Sequence, residues 1–425
     1  METEFEAFFG KQQRPTRSIN NIRKVGDILD IEPRTVNELI YPQDVHVFRL
    51  HINLVEHPMS VWGCISFHNR AKGIYKGGIR ISSDLDIWDT IELSRLMTLK
   101  TSLVDLEFGG AKTGLRFDMS KAYKLFGKEE YDIKFESYVK KEIIKEFAHH
   151  YHDILSKKQY VPAPDINTGP AEMAWIYGET HEPSSVTGKP EGVPGWLPGR
   201  KEATGYGVYI VVKNLIEKMG QKPGETTVAI QGFGNVGSNS AFFLDKLGVK
   251  IVAVEDKDGS VYNEEGIDVT SLTKYVTSNG TVKGFCDPAP DFFGVEADIM
   301  VPAAINDAID AEAAKKIKAK YVVEGANFPT TPEAMEIFEK KGIEVIPDIL
   351  ANAGGVIASS VEYANPVSTQ KMDKEEVFAM IERKISKNLN LALDIAKERS
   401  ISLDLACTFL SAERLITTMQ NKGWI

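Results

Sequence analysis

The stretch Gly232-Phe233-Gly234-Asn235-Val236-Gly237 constrains the fold more than any other part of the chain. It follows an apolar run at 227–230 and opens a helical pattern that ends near Leu247. A second apolar run, 251–254, closes with Glu255, Asp256 and Asp258, about 20 residues beyond the glycines, which is the separation a dinucleotide-binding unit requires. Glycines there let a pyrophosphate approach the backbone, the helix N-terminus offers unpaired N–H groups, and the acid accepts hydrogen bonds from a ribose. The same grammar continues through strands expected at 298–301, 321–323 and 343–346, each separated by a helical stretch. Such alternation predicts an α/β, Rossmann-like, doubly wound and mostly parallel sheet. A carboxylate beside the ribose repels a 2′-phosphate and so favours NAD over NADP; Lys257, between two acids, works against that preference and keeps NADP possible.

The first half of the chain follows a different pattern. Leu93, Leu96, Met97, Leu103 and Val104 fall on one helical stripe, and Lys100 occupies its missing position. A snorkelling lysine with a packed stem and a wet head is one reading; a ligand-binding cation is the other. Lys76 precedes Gly77-Gly78, and Lys112 follows Gly109-Gly110-Ala111, so both ammonium groups stand where neighbouring side chains are missing and a ligand can approach the backbone. Three cations around one cleft suit a dianionic substrate, and their mutual repulsion leaves one lysine able to act as a base.

Further signals place these residues on elements. Residues 18–40 read as helical, Phe48, Leu50, Ile52 and Leu54 alternate as a strand, and Val61, Ile65 and Phe67 repeat the alternation after a turn at His57-Pro58. Ser83 with Asp86 reads as the start of the Lys100 helix, and Leu115 and Phe117 as a short strand, which puts Lys112 on a glycine turn. Prolines around Ala163 leave Asp165 in a constrained loop, either capping the next helix or carrying protons. The Pro, Gly and Ser content of 182–200 marks a linker. The expected domains are 1–195 and 196–364, with helices in 365–425 returning to the first.

The net charge of -10 excludes a phosphate-backbone partner, and no apolar run reaches membrane-spanning length. The opening segment lacks the features of a secretory leader, and Cys64, Cys286 and Cys407 are isolated, which together suggest a cytoplasmic protein without disulfides. His149, His150 and His152 read as a polar helix end, and no metal is expected.

Eight motifs appear in an order that resembles one family: YKGGIR, MTLK, LEFGGAKTGLRFD, PAPD, EATGYGV, GFGNVG, VEGAN and NAGGV. They resemble the glutamate, leucine, phenylalanine and valine dehydrogenases, and within that family the glutamate enzymes. The resemblance implies an N-terminal substrate domain, a cofactor domain, a homohexamer, and reversible oxidative deamination of L-glutamate to 2-oxoglutarate and ammonium. By the same likeness Lys112 is the catalytic lysine and Asp165 the proton carrier. Lys100 holds the α-carboxylate; Lys76, with Gly77 and Ser359, holds the side-chain carboxylate. Thr204, Asn235, Val236 and Asn327 line the cofactor with Gly232 and Gly234, while Phe233 lies at the adenine end and Asp256 or Asp258 at the ribose. The competing readings are a dehydrogenase for an apolar amino acid, which would strand Lys76, and a non-catalytic nucleotide-binding subunit, which would have no use for Lys112 and Asp165. Two positions depart from the family pattern: Thr113, where Gly or Ala is usual, and Met119, where proline is common.

Overall fold

A computed structural model of the protein describes Phe8, residues 16–55 and residues 57–425; the rest of the opening segment read above lies outside the described residues. The chain forms two compact units, one of residues 1–198, 359–373 and 411–425, the other of 199–358 and 374–410.

In the first unit, β1 (Asp44–Leu54), β2 (His57–Asn69), β3 (Ile74–Ser82), β4 (Phe108–Arg116) and β5 (Tyr160–Pro164) build a five-stranded sheet in the order β1-β2-β4-β3-β5. The predicted alternation is present in β1, where Phe48, Leu50, Ile52 and Leu54 are buried and their neighbours are more exposed. The hairpin is tighter than expected, since His57 and Pro58 already belong to β2 and pair with Leu54 and Asn53. β4 is antiparallel to β2 and parallel to β3, which is also parallel to β5.

One sheet face carries an apolar core in which Ile65, Phe67, Ile79, Ala111 and Leu115 meet Val139, Ile143, Phe147 and Ile176 from the helices Ile133–His150 and Pro170–Thr180. The opposite face packs on the helix Ile87–Leu103, through Ser66 to Ser94 at 2.7 Å and His68 to Thr98 at 2.9 Å. This helix is buried on nearly every side, so the stripe read from Leu93 to Val104 understates it. Its cap is Asp86 rather than Ser83: the Asp86 carboxylate accepts from the Asp89 N–H and the Asp89 carboxylate accepts in return from the Asp86 N–H.

In the second unit β6 (Thr227–Gln231), β7 (Lys250–Asp256), β8 (Gly259–Tyr262), β9 (Ile299–Pro302), β10 (Tyr321–Val323) and β11 (Glu344–Ile346) are ordered β11-β10-β9-β6-β7-β8. All pairs are parallel except β7 with β8. The order reverses between β6 and β9, the switch point at which such sheets bind ligands. β8 is absent from the sequence reading; its two-residue turn is Lys257-Asp258, closed by the pairing of Asp256 with Gly259.

The C-terminal segment divides instead of returning whole to the first unit. The helix Lys374–Arg399 buries Val377, Ile381 and Ile385, stacks Phe378 on Tyr206 at 4.1 Å, and pairs Lys374 with Glu202 at 2.7 Å, all within the second unit. Residues 411–425 do return: Arg414 donates to the carbonyls of Ser102 and Leu103 at the end of the Lys100 helix, and Ser102 Oγ donates to Ser411 O at 2.9 Å. Among the described residues no helix is long and apolar enough to cross a membrane.

Candidate active site

Lys112 lies in the middle of β4, not on a turn. The glycines around it serve close packing. A Cβ on Gly110 would stand 2.1 Å from Thr98 Oγ1 and 2.3 Å from Thr98 N, and one on Gly114 would stand 2.3 Å from Thr90 Oγ1. The strand therefore presses against the Ile87–Leu103 helix on both sides of Lys112, which leaves the lysine as the large group on that part of the face.

Lys112 Nζ contacts Asp165 Oδ2 at 2.7 Å, and Arg80 Nε donates to the same oxygen at 2.9 Å. Asp165 follows β5 directly, and Gly78 makes room for it: a Cβ there would fall 2.8 Å from Asp165 Cβ. Thr168 Oγ1 donates to Ile79 O at 2.6 Å and accepts from the Asp165 N–H at 2.9 Å, which ties the loop to β3. Asp165 does not cap the following helix, whose first turn is held by Glu172 through the Gly169 N–H. Burial pushes the Asp165 carboxyl up, but Lys112 and Arg80 together outweigh it and hold the group down at about 2. Lys112 is lowered from the usual lysine value by burial first and by the Arg80 cation next, against the opposing pull of Asp165. The cation that depresses it is thus Arg80, where the sequence suggested a neighbouring lysine.

Lys76 on β3, Lys100 and Lys112 are 1%, 6% and 4% exposed, so none of them lies stretched along the surface. Gly77 follows Lys76 where β3 closes on β4; its Cβ would stand 1.6 Å from Ala111 O. Ser359 is buried on the helix Gly354–Ala364. Three residues further on, Glu362 makes a fully buried pair with Lys189 at 3.0 Å and accepts from the backbone N–H groups of Gly188 and Lys189. Lys189 Nζ also donates to Pro183 O and Val186 O. The segment read as a linker is therefore a locked loop, and removing either charge would cost on the order of 3–5 kcal/mol. Within it Thr187 donates its N–H to Pro162 O at 3.0 Å, while its Oγ1 is buried with no hydrogen-bond partner among the described residues.

In the second unit, the glycine turn meets the requirements of a dinucleotide. Gly232 has φ of 90°, Gly237 has no room for a Cβ because one would fall 1.8 Å from Gly232 O, and a Cβ on Gly234 would meet nothing within 4 Å. The helix Asn235–Leu247 begins at Gly234 without a side-chain cap, so its first N–H groups face the turn unshielded by a cap. Phe233 is buried at the turn. Asn235 Nδ2 donates to Lys201 O at 2.9 Å, and Val236 Cγ1 lies where a Cβ on Gly325 would touch it. Asn327 Oδ1 accepts from Asn352 Nδ2 at 3.1 Å, and Thr204 Oγ1 lies against Gly355.

Asp256 has other duties: its carboxylate accepts from the N–H groups of Asp258, Gly259 and Val282 and from Thr281 Oγ1. Asp258 stands exposed on the hairpin turn. The preceding acid, Glu255, is the penultimate residue of β7 and lies beside the glycine turn, where Gly232 N donates to Glu255 O at 2.7 Å and Gln231 Nε2 to its Oε2 at 3.1 Å.

Residues 195–423 match the family model described as Glutamate/Leucine/Phenylalanine/Valine dehydrogenase, and residues 42–182 match its companion, the Glu/Leu/Phe/Val dehydrogenase dimerisation domain. The chain belongs to the Glu/Leu/Phe/Val dehydrogenase family. It is 34% identical to a glutamate dehydrogenase of Thermotoga maritima, over 96% of this chain and 97% of that one. It is 35% identical to an NADP-specific glutamate dehydrogenase of Saccharolobus shibatae, over 96% of both chains. An NAD-specific glutamate dehydrogenase A of Halobacterium salinarum is 34% identical, over 93% of this chain and 90% of the relative. Among solved structures, the hetero-hexameric glutamate dehydrogenase of Thermus thermophilus superposes with a TM-score of 0.87 at 26% identity, covering 97% of this chain and 99% of that one.

For this family member the structure adds residues that sequence reasoning passed over. Arg80, in YKGGIR, stands two positions beyond a diglycine and on the same strand face as Lys76, which is the sequence signal that points to it. Thr187 and the Lys189–Glu362 pair were hidden inside an apparent linker, and no local pattern links two charges 173 residues apart. Thr113 points away from Lys112, donating to the Tyr160 hydroxyl at 3.0 Å on the apolar-core face, so it does not crowd the base.

Proposed function

We propose that the protein is an NAD(P)-dependent glutamate dehydrogenase that interconverts L-glutamate with 2-oxoglutarate and ammonium. The observation that carries this reading is the buried Lys112–Asp165–Arg80 cluster on the sheet that also holds Lys76, packed on the helix that bears Lys100.

A substrate with two carboxylates matches in charge a face that carries several buried cations. Lys100 binds the α-carboxylate. Lys76, with Ser359 and the unpaired Thr187 hydroxyl, binds the distal one, and the Gly77 peptide admits it. A bound nicotinamide dinucleotide would supply the hydride acceptor; Gly232, Gly234, Asn235 and Val236 would hold its pyrophosphate, with Thr204 and Asn327 beyond the turn. Asp165, kept ionised by Arg80, accepts the proton that the substrate ammonium must lose before hydride can leave. Lys112, with its pKa lowered, takes a proton from the water that attacks the iminium carbon, and Asp165, in contact with it, relays protons to the departing ammonia.

Glu255 is the better candidate than Asp256 for the ribose hydroxyls, because the Asp256 carboxylate is already saturated by backbone donors. A carboxylate there favours NAD over NADP. We propose a homohexamer, which shares its subunit number with the hetero-hexameric Thermus thermophilus relative, and a cytoplasmic location, where the free thiols Cys64, Cys286 and Cys407 are kept reduced.

The test is reductive amination of 2-oxoglutarate followed by NADH and, separately, NADPH oxidation, with 2-oxoisocaproate as control. Turnover of 2-oxoglutarate with NADH is expected, and Lys76→Leu should weaken it by about a hundredfold while sparing the branched acid. Activity on 2-oxoisocaproate alone would sink the substrate assignment. Light scattering that gives a mass other than six chains would remove the homohexamer.

A further inference from the structure

Between Lys76 and Arg80, β3 consists of Gly77, Gly78 and Ile79, and the diglycine has no side chain of its own to hold its peptide. Its strand pairing is one-sided. Pairing with β4 lapses at 77 and 78, running from Lys76 with Gly110 to Ile79 with Thr113. On the other side Gly77 and Gly78 stay in register with β5, opposite Pro162 and Ala163.

The Tyr160 hydroxyl fills this gap from the core face, donating to Gly77 O at 3.3 Å and to Gly78 O at 3.4 Å. Thr113 Oγ1 donates to the same phenol oxygen at 3.0 Å, which leaves the phenol hydrogen free for the glycine carbonyls. Both side chains are fully buried, so neither hydroxyl has water as an alternative.

We infer that Thr113 and Tyr160 form a positioning pair that fixes the Gly77–Gly78 peptide and thereby aims Lys76 at the distal carboxylate of the substrate. The inference rests on the dehydrogenase reading above and assigns these two residues no contact with substrate.

The test compares Thr113→Val, which keeps the shape and removes the hydroxyl, with Tyr160→Phe. Each variant should raise KM for 2-oxoglutarate about five-fold, as expected for one lost hydrogen bond, and leave kcat and the KM for the dinucleotide within about two-fold. The ratio of kcat/KM for 2-oxoglutarate to that for 2-oxovalerate, which lacks the distal carboxylate, should fall in step. Thr113→Ser should restore both values, and the double variant should be no worse than the worse single one, because the pair acts as a unit. Parallel loss on both oxo acids would show a merely structural role and overturn the inference, as would an unchanged KM in the two folded variants. Should one variant fail to fold, the other with Thr113→Ser still decides. Inactivity of the unmutated protein on 2-oxoglutarate would instead count against the proposed reaction.

Discussion

Two glycine clusters, one in each unit, use the same residue for different ends. In β3 and β4 the glycines are extended, and the space a side chain would need is filled by protein: Ala111 O at 1.6 Å from a Cβ on Gly77, Thr98 N at 2.3 Å from one on Gly110. In the turn after β6, Gly232 needs its φ of 90°, and a Cβ on Gly234 would meet nothing within 4 Å. The first cluster draws backbone layers together so that buried lysines become the functional side chains of the face. The second leaves backbone N–H groups uncovered for an anion. Glycine reserves room for protein in one case and for ligand in the other.

The sharpest separation of the two comes from Lys112→Ala. Turnover should fall by roughly a thousandfold or more, since both base and proton path are lost, while dinucleotide binding at the other cluster stays intact. Because Arg80 still pairs with Asp165, the variant should melt close to the parent. Retained turnover would remove Lys112 from the chemistry. A matched pair of glycine substitutions comes next. Gly110→Ala forces a methyl group into the Thr98 backbone and should cost about 3 kcal/mol, visible as a lower melting temperature or insoluble protein. Gly234→Ala, at a φ of -75° and in open space, should change stability by less than about 0.5 kcal/mol yet weaken the dinucleotide, read as a raised KM for NADH. Equal melting temperatures for the pair would break the comparison.

The contrast also explains what could be read from the chain alone. The second sheet was legible because its signals are local: β10 spans the predicted 321–323, and the glycine turn sits between β6 and its helix. Asp165 and the three lysines were legible as residue types in unusual company, but not their setting. Lys112 read as lying on a turn because a diglycine usually marks one, whereas here the demand for glycine comes from a helix that precedes it in sequence and packs across the strand. Arg80 gains its role from Asp165, 85 residues away, and Glu362 from Lys189, 173 residues away. The destination of the Lys374–Arg399 helix depended on Tyr206 presenting a ring to Phe378. These are tertiary choices, and periodicity does not record them.

Arg80→Gln tests the smallest effect and the electrostatics of the first cluster. Arg80 lowers the Lys112 pKa and, with Lys112, holds Asp165 down from 3.8 to about 2. Deamination needs neutral Lys112, so kcat/KM rises with pH through the pKa of that lysine. Without the guanidinium the lysine holds its proton more tightly, and the acidic limb of the profile should move to higher pH with its plateau nearly unchanged. Arg80→Lys, which keeps a cation there, should leave the limb close to the parent. Stability must respond in the matching sense. A carboxyl held below its unfolded value contributes stability that is present above pH 3.8 and is lost as the pH falls towards 2. In Arg80→Gln the Asp165 pKa rises, so acid unfolding should begin at higher pH than in the parent. A limb that stays in place while the acid transition moves would show that Arg80 serves Asp165 alone, and that burial by itself sets Lys112.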